Sequence, residues 1–234
     1  MPATARTCVI TGASRGIGLA TALRFARDGY QIIATARTAD RLAAAAPHIR
    51  AAGGACEPVV ADVARPEDAR RVVQVAVERF GRVDVLVNNA GVAPLGTIEQ
   101  LPIADFDAVL ALNIAAVFHS TRAVWPIMRK QGGGVIVNIS SVAAVDPFPG
   151  FAVYGASKAW VNLFSQAMAA EGKPFGIRVY AVAPGAVETE LLRSTFPDLP
   201  ADRTLAPEAV AGVVFEICGD AFVPCSGQTL FVRK

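Results

Sequence analysis

Short apolar runs rich in β-branched residues alternate with longer stretches of helical periodicity along the whole chain. Strands are expected at 7–11, 31–36, 57–61, 83–87, 135–139, 178–183 and 229–232. Helices are expected at 16–28, 41–52, 66–80, 103–130, 153–171 and 207–218. Several strand runs are apolar without alternation, as strands covered on both faces must be. Strand–helix–strand repetition of this kind predicts an α/β fold, a doubly wound parallel sheet with helices on both faces. No linker, repeat or low-complexity tract interrupts it, so residues 1–234 are read as one domain. Pro126 lies inside the long pattern at 103–130 and is expected to kink or end that helix.

Composition narrows the class. The chain is 53% hydrophobic and 18% charged, too apolar for a disordered polymer. A net charge of +2 without a basic run offers little to nucleic acid or an anionic membrane. No run approaches 18 consecutive apolar residues, so no bilayer-spanning segment is expected. The lead Met1-Pro2-Ala3-Thr4-Ala5-Arg6 soon meets glycines and Arg15 and does not read as a secretion leader. Cys8, Cys56, Cys218 and Cys225 are scattered, with His48 and His119 the only histidines. Free thiols in a reducing cytoplasm, and no metal site, are the expectation.

A parallel open sheet binds ligands beyond the carboxyl ends of its strands, and the unusual residues lie there. The first strand runs into Thr11-Gly12-Ala13-Ser14-Arg15-Gly16-Ile17-Gly18 and then a helix. Glycines let that turn approach a pyrophosphate, while the helix start supplies N–H groups and a positive dipole end. The second strand ends Thr35-Ala36-Arg37-Thr38, with no acid before Asp40. An acid there would hold a ribose 2′-hydroxyl, whereas arginine favours a 2′-phosphate; Arg37, seconded by Arg15, therefore predicts NADP(H). Asp62, followed by Val63, is suited to an adenine amino group, and Asn88-Asn89-Ala90-Gly91 forms a turn of small and amide residues.

Tyr154 and Lys158 stand at i, i+4 near the start of a helix and share one face. An adjacent ammonium is expected to draw the phenol's pKa towards neutrality and make it a proton donor to a carbonyl or acceptor from an alcohol. Asn138-Ile139-Ser140-Ser141 ends the fifth strand, and either serine can hold a substrate oxygen beside the phenol. Asn113 sits in the apolar run Leu110-Ala111-Leu112-Asn113-Ile114-Ala115. A buried amide needs partners; a bent helix with a trapped water and a locally satisfied core asparagine are both open.

Together these motifs resemble the short-chain dehydrogenase/reductase family over nearly the whole chain. Its TGxxxGIG turn matches Thr11 through Gly18, its NNAG turn Asn88 through Gly91, and its YxxxK pair Tyr154 and Lys158. The resemblance implies a Rossmann-like sheet, selects Ser141 over Ser140, and places the catalytic asparagine at Asn113. It further implies that Pro184, Gly185, Val187 and Thr189 hold the nicotinamide carboxamide. The implied proton path runs from Tyr154 through the ribose hydroxyl and Lys158 to a water near Asn113. Departures are Tyr180 where asparagine is usual, a substrate flap at 186–206 shorter than usual, and an ending at Phe231-Val232-Arg233-Lys234 where many relatives continue.

The function implied is NADPH-dependent reduction of a carbonyl, reversible as oxidation of an alcohol. Apolar walls are expected from Phe148, Phe151, Val187, Leu191, Leu192 and Phe196. A narrower alternative is a 3-oxoacyl thioester reductase, with Arg129 and Lys130 meeting an acidic carrier; a different class is a catalytically silent dinucleotide sensor. The apolar stretch Ala159-Trp160-Val161-Asn162-Leu163-Phe164 predicts a homo-oligomer, a dimer or tetramer.

Overall fold

The β-branched runs form seven strands: β1 Thr7–Thr11, β2 Gln31–Ala36, β3 Cys56–Val60, β4 Val85–Asn88, β5 Gly134–Ile139, β6 Ile177–Pro184 and β7 Thr229–Val232. They pair in parallel in the order β3-β2-β1-β4-β5-β6-β7. This is a Rossmann-like sheet whose order reverses between β1 and β4, and that reversal opens a crevice at the strands' carboxyl ends. The computed structural model describes residues 5–234, so most of the Met1–Arg6 lead lies outside it.

Helices α1 (Gly16–Arg27), α2 (Ala39–Ala51) and α8 (Pro207–Glu216) share one apolar layer through Phe25, Leu42, Ile49 and Val214. On the other face, α3 (Pro66–Phe80), α5 (Ala116–Gln131) and α6 (Ala152–Gly172) pack through Val72, Val124, Met128 and Ala169. Cys8, Cys56 and Cys218 are buried free thiols and Cys225 is half-buried; burial pushes the Cys56 thiol up to about 11.

Two differences from the expected elements have physical causes. Val83 does not join β4, because the Gln131 side chain takes both its N–H (3.0 Å) and its carbonyl (2.8 Å). The expected helix at 103–130 is three pieces: α4 (Ile103–Val109), a π turn Leu110–Ala115, and α5. Pro126 does not end α5, which runs on to Gln131 and stops at the left-handed Gly132. The irregularity lies instead around Asn113, where one residue too many per turn is accommodated.

Charge interruptions hid another property of this segment. Residues Ile103–Gln131 contain an 18-residue window of mean hydropathy 1.4, long and apolar enough by length and composition to cross a membrane. In the fold, one side of this segment covers the sheet, with Val109, Val117, Val124 and Met128 buried.

Tyr180, flagged as a departure beside the site, packs elsewhere. Its ring is fully buried in the layer of α1 and α8, and its hydroxyl donates to the Phe222 carbonyl at 2.7 Å. Since side chains alternate across a strand, an asparagine-to-tyrosine change there thickens that layer and leaves the crevice untouched.

Candidate active site

The crevice is a cavity of about 590 Å³ running from the glycine turn to the flap. Its wall at one end consists of Gly12, Ser14, Arg15, Gly16 and Ile17. The helix they open has no capping side chain and no acidic residue in its first turn, so its N–H groups and dipole end remain suited to an anion. Gly16 has φ +55, which strongly favours glycine. Gly18 does not line the cavity. A Cβ there would lie 2.2 Å from the Gly12 carbonyl oxygen, so this glycine lets the helix sit against the turn. Asn89 also serves the turn, donating from Nδ2 to the Thr11 carbonyl at 2.9 Å and the Gly12 carbonyl at 3.2 Å. Asn89, Ala90 and Gly91 line the cavity beside it.

Beyond β2, Ala36 and Arg37 line the wall, together with Arg41 one helical turn onward. Arg37 is exposed and has no ion pair among the described residues. Asp62 does not reach the cavity: its Oδ1 accepts the Ala64 N–H at 3.2 Å, closing the turn before α3. Ala61 and Val63 form the wall there instead.

At the other end, Ile139, Ser140, Ser141, Tyr154 and Lys158 converge. The structure separates the two serines. Ser140 donates its hydroxyl to the Lys158 carbonyl at 3.1 Å, whereas Ser141, whose Oγ accepts the Ala143 N–H at 3.1 Å, faces the Tyr154 phenol. Lys158 is buried, and its Nζ donates to the Ile139 carbonyl at 2.8 Å. Burial draws this ammonium down to about 8, because a low dielectric disfavours charge.

The expected lowering of Tyr154 is corrected. Burial raises its pKa above the ordinary phenol value, with the hydrogen bond from Ser141 the opposing influence. The Lys158 Nζ lies 5.8 Å from the ring centroid and is held by a carbonyl. In the protein alone, desolvation therefore outweighs the Ser141 hydrogen bond.

Asn113 is fully buried and absent from the cavity wall. Its Oδ1 accepts the Val92 N–H and its Nδ2 donates to the Val92 carbonyl, both at 2.9 Å, and also to Ser157 Oγ at 3.1 Å. The side chain is thus fully satisfied and pins the segment after β4. A Cβ on Gly91 would sit 3.1 Å from Asn113 Oδ1 and 3.6 Å from Lys158 Nζ, so Asn113 backs two residues of the cavity wall.

Pro184, Gly185, Val187 and Thr189 line the side opposite. The flap after them is folded: Val187 bridges to Leu205, and Glu188 pairs with Arg193 at 2.5 Å. Thr189 accepts the Leu192 N–H at 3.2 Å, capping the short helix α7 (Glu190–Thr195). Its hydroxyl is thereby used for local structure. Phe196 packs on Phe148 and Phe151 at 5.8 and 5.7 Å, and Phe151 meets Tyr154 edge-on at 4.9 Å. All six expected apolar wall residues line the cavity.

The family model described as short chain dehydrogenase matches residues 6–200. The chain belongs to this family. Short-chain dehydrogenases are oxidoreductases that use a nicotinamide cofactor on alcohol and carbonyl groups, and this chain is one of them. It is similar to the 3-oxoacyl-(acyl-carrier-protein) reductase of Thermotoga maritima, with 37% identity covering 96% of this chain and 95% of that one. It is also similar to the 3β-hydroxysteroid dehydrogenase 1 of Eggerthella lenta, with 36% identity covering 97% and 92%. Among solved structures, the 3-ketoacyl-(acyl-carrier-protein) reductase of Brucella melitensis complexed with NADH superposes with a TM-score of 0.90 at 33% identity, covering 97% and 96%.

Arg41 and Glu190, both in the cavity wall of this dehydrogenase, had no part in the sequence reading. Arg41 lies four positions after Arg37, in the first turn of α2. Glu190 approaches from the flap, and its Oε2 accepts from Arg41 Nη1 at 2.8 Å and from Arg15 Nη1. Nearness in sequence to the end of β2 was a signal for Arg41. Glu190 had none, since its partners are 149 and 175 residues away.

Proposed function

We propose that this short-chain dehydrogenase interconverts a neutral, apolar ketone or aldehyde and its alcohol, with NADP(H) as the preferred cofactor. The observation that carries the reading is the single cavity itself. It joins an uncapped helix start and an unpaired Arg37 at one end to Ser141, Tyr154 and Lys158 beneath an aromatic wall at the other. Ser14, Gly16 and Ile17 would hold the cofactor's pyrophosphate, Arg37 with Arg15 and Arg41 its 2′-phosphate, and Val187 and Thr189 its nicotinamide end. When bound, the cofactor supplies or accepts the hydride.

Tyr154 keeps its proton at Oη at neutral pH, because burial raises its pKa; it is therefore suited to protonate a carbonyl oxygen placed against it. Ser141 hydrogen-bonds beside the phenol and favours the phenolate that forms. Lys158, anchored to the Ile139 carbonyl, holds a positive charge behind the same site. Phe148, Phe151 and Phe196 exclude water from the substrate end and offer broad apolar faces. The basic side chains lining the cavity are Arg15, Arg37 and Arg41, which belong to the glycine turn and the end of β2 and start of α2, and Lys158, whose Nζ is held by the Ile139 carbonyl, while the acidic Asp146 also lines it. This favours uncharged substrates over keto acids, in keeping with the likeness to a hydroxysteroid dehydrogenase.

The test is a panel of uncharged and acidic carbonyl compounds followed by NADPH and NADH absorbance, in wild type and Arg37→Ala. Losing one charge-assisted hydrogen bond should weaken NADPH by about 1.5–3 kcal/mol, roughly ten- to a hundredfold, and leave NADH unchanged. Equal weakening of both cofactors would remove the 2′-phosphate assignment, and turnover confined to acids would remove the substrate class.

A second reading is favoured by two similarities, to the Thermotoga and Brucella carrier-protein reductases. Arg129, stacked over Phe175 at 5.1 Å, and Lys130 would then meet an acidic carrier. Faster turnover of a carrier-bound 3-oxoacyl thioester than of any free ketone would establish it. In either case a second copy is suited to cover the outer faces of α5 and α6. Phe118 and Leu163 are exposed there, and Trp160 stacks on Phe164 at 4.6 Å. Light scattering at micromolar concentration tests this.

A further inference from the structure

The flap places a carboxylate inside the cationic end of the cavity. Glu190 is the first residue of α7, and its Oε2 pairs with both Arg15 of the glycine turn and Arg41 of α2. Those two guanidinium groups hold its carboxyl below the usual carboxylate range. The contact is not an isolated surface pair. Thr189, which caps α7, lies so close to the turn that a Cβ on Gly16 would sit 3.2 Å from its Cγ2. The flap is therefore seated on the glycine turn, with Glu190 as its ionic tie. Arg15, Arg37, Arg41 and Glu190 all line the same cavity, but only Arg37 is left without an ion pair among the described residues.

We propose that Glu190 is a specificity-determining residue: its carboxylate competes with a cofactor 2′-phosphate for Arg15 and Arg41, so that NADP(H) binding releases the flap tie and NAD(H) binding leaves it in place. This rests on the reading of the arginine cluster as the 2′-phosphate site. One dianionic group and one carboxylate cannot both saturate the same two guanidinium forks, and like charges brought together repel. Glu190 thereby lowers the discrimination that three arginines would otherwise give. It also links the identity of the cofactor to the mobility of the segment that carries Leu191, Leu192 and Phe196 over the substrate.

The experiment is titration calorimetry of wild type and Glu190→Gln with 2′,5′-ADP and 5′-AMP, repeated with NADPH and NADH. Glutamine keeps the shape and removes the charge. The variant should bind 2′,5′-ADP and NADPH about two- to fivefold more tightly, the scale of an exposed ion pair. Its affinity for 5′-AMP and NADH should be unchanged. In wild type, 2′,5′-ADP should also speed hydrogen exchange of the amides at 190–195, while 5′-AMP should not. Weaker binding of 2′,5′-ADP to the variant, or an equal change for both nucleotides, would overturn the competition. The parent assignment is judged separately. If wild type does not prefer 2′,5′-ADP but the variant does, Glu190 is the blocker and only the NADP(H) preference of the native chain fails. If neither protein prefers it, both readings fall.

Discussion

Asn113→Ala should destabilise the protein and displace the wall of the active site, because the asparagine serves both Val92 backbone groups. In the native chain Oδ1 accepts from Val92 N–H and Nδ2 donates to the Val92 carbonyl, each at 2.9 Å. Alanine leaves two backbone groups and the Ser157 hydroxyl without that partner. An unsatisfied buried group costs about 1–3 kcal/mol. Val92 is only half-buried, so water recovers part of this and the lower end applies, about 2–3 kcal/mol in all. For a chain of this size, each kcal/mol moves Tm by about 2–4 °C, giving a loss of roughly 5–10 °C. The assay is thermal unfolding by circular dichroism beside steady-state turnover. Asn113→Asp should be no milder, because it keeps the acceptor for Val92 N–H but sets a second oxygen against the carbonyl. Activity lost with Tm within about 2 °C of wild type, less than the shift expected of even 1 kcal/mol, would refute a positioning role and place the amide in the chemistry itself.

Three further outcomes are expected. Tyr154→Phe should lower kcat by about 10²- to 10⁴-fold, the range of general acid catalysis, with NADPH affinity little changed; more than a tenth of wild-type kcat would remove the tyrosine from that role. Lys158, drawn from 10.5 to about 8 by burial, sheds its proton in the native state across a window where the unfolded chain keeps it. Wild-type stability should therefore rise from about pH 8 to 10.5 relative to Lys158→Met, and be level below 8, where both states hold the proton; urea midpoints across that range decide it, and a flat difference throughout would contradict the burial of a titrating amine. Gly18→Ala would set a Cβ 2.2 Å from the Gly12 carbonyl and 2.5 Å from Asn89 Nδ2, an overpacking that costs about 1–3 kcal/mol. Calorimetry should show weakened cofactor binding together with the lowered stability, and wild-type affinity would mean that the turn yields without cost.

Periodicity and local chemistry were enough to determine the sheet and most of the helices, and to set Tyr154 and Lys158 on one helix face. Unbroken apolar strands signify burial on both faces, and Tyr154 and Lys158 share a helix face whatever lies around them. The glycine turn follows the same logic, since a strand, a positive φ and a helix start are neighbours in sequence. Whatever depended on distant partners was decided by the tertiary structure. Asp62 turned to its own loop because the Ala64 N–H in the turn before α3 needed an acceptor. Ser140 and Ser141, alike as residues, diverged when the Lys158 carbonyl claimed one of them. The Tyr154 pKa rose because burial, which no local spacing records, outweighed the hydrogen bond from Ser141, while Lys158 was held by Ile139. The π turn at Asn113 and the Glu190 tie across Arg15 and Arg41 have the same origin. Each joins groups far apart in the chain, and only packing determines which of them meet.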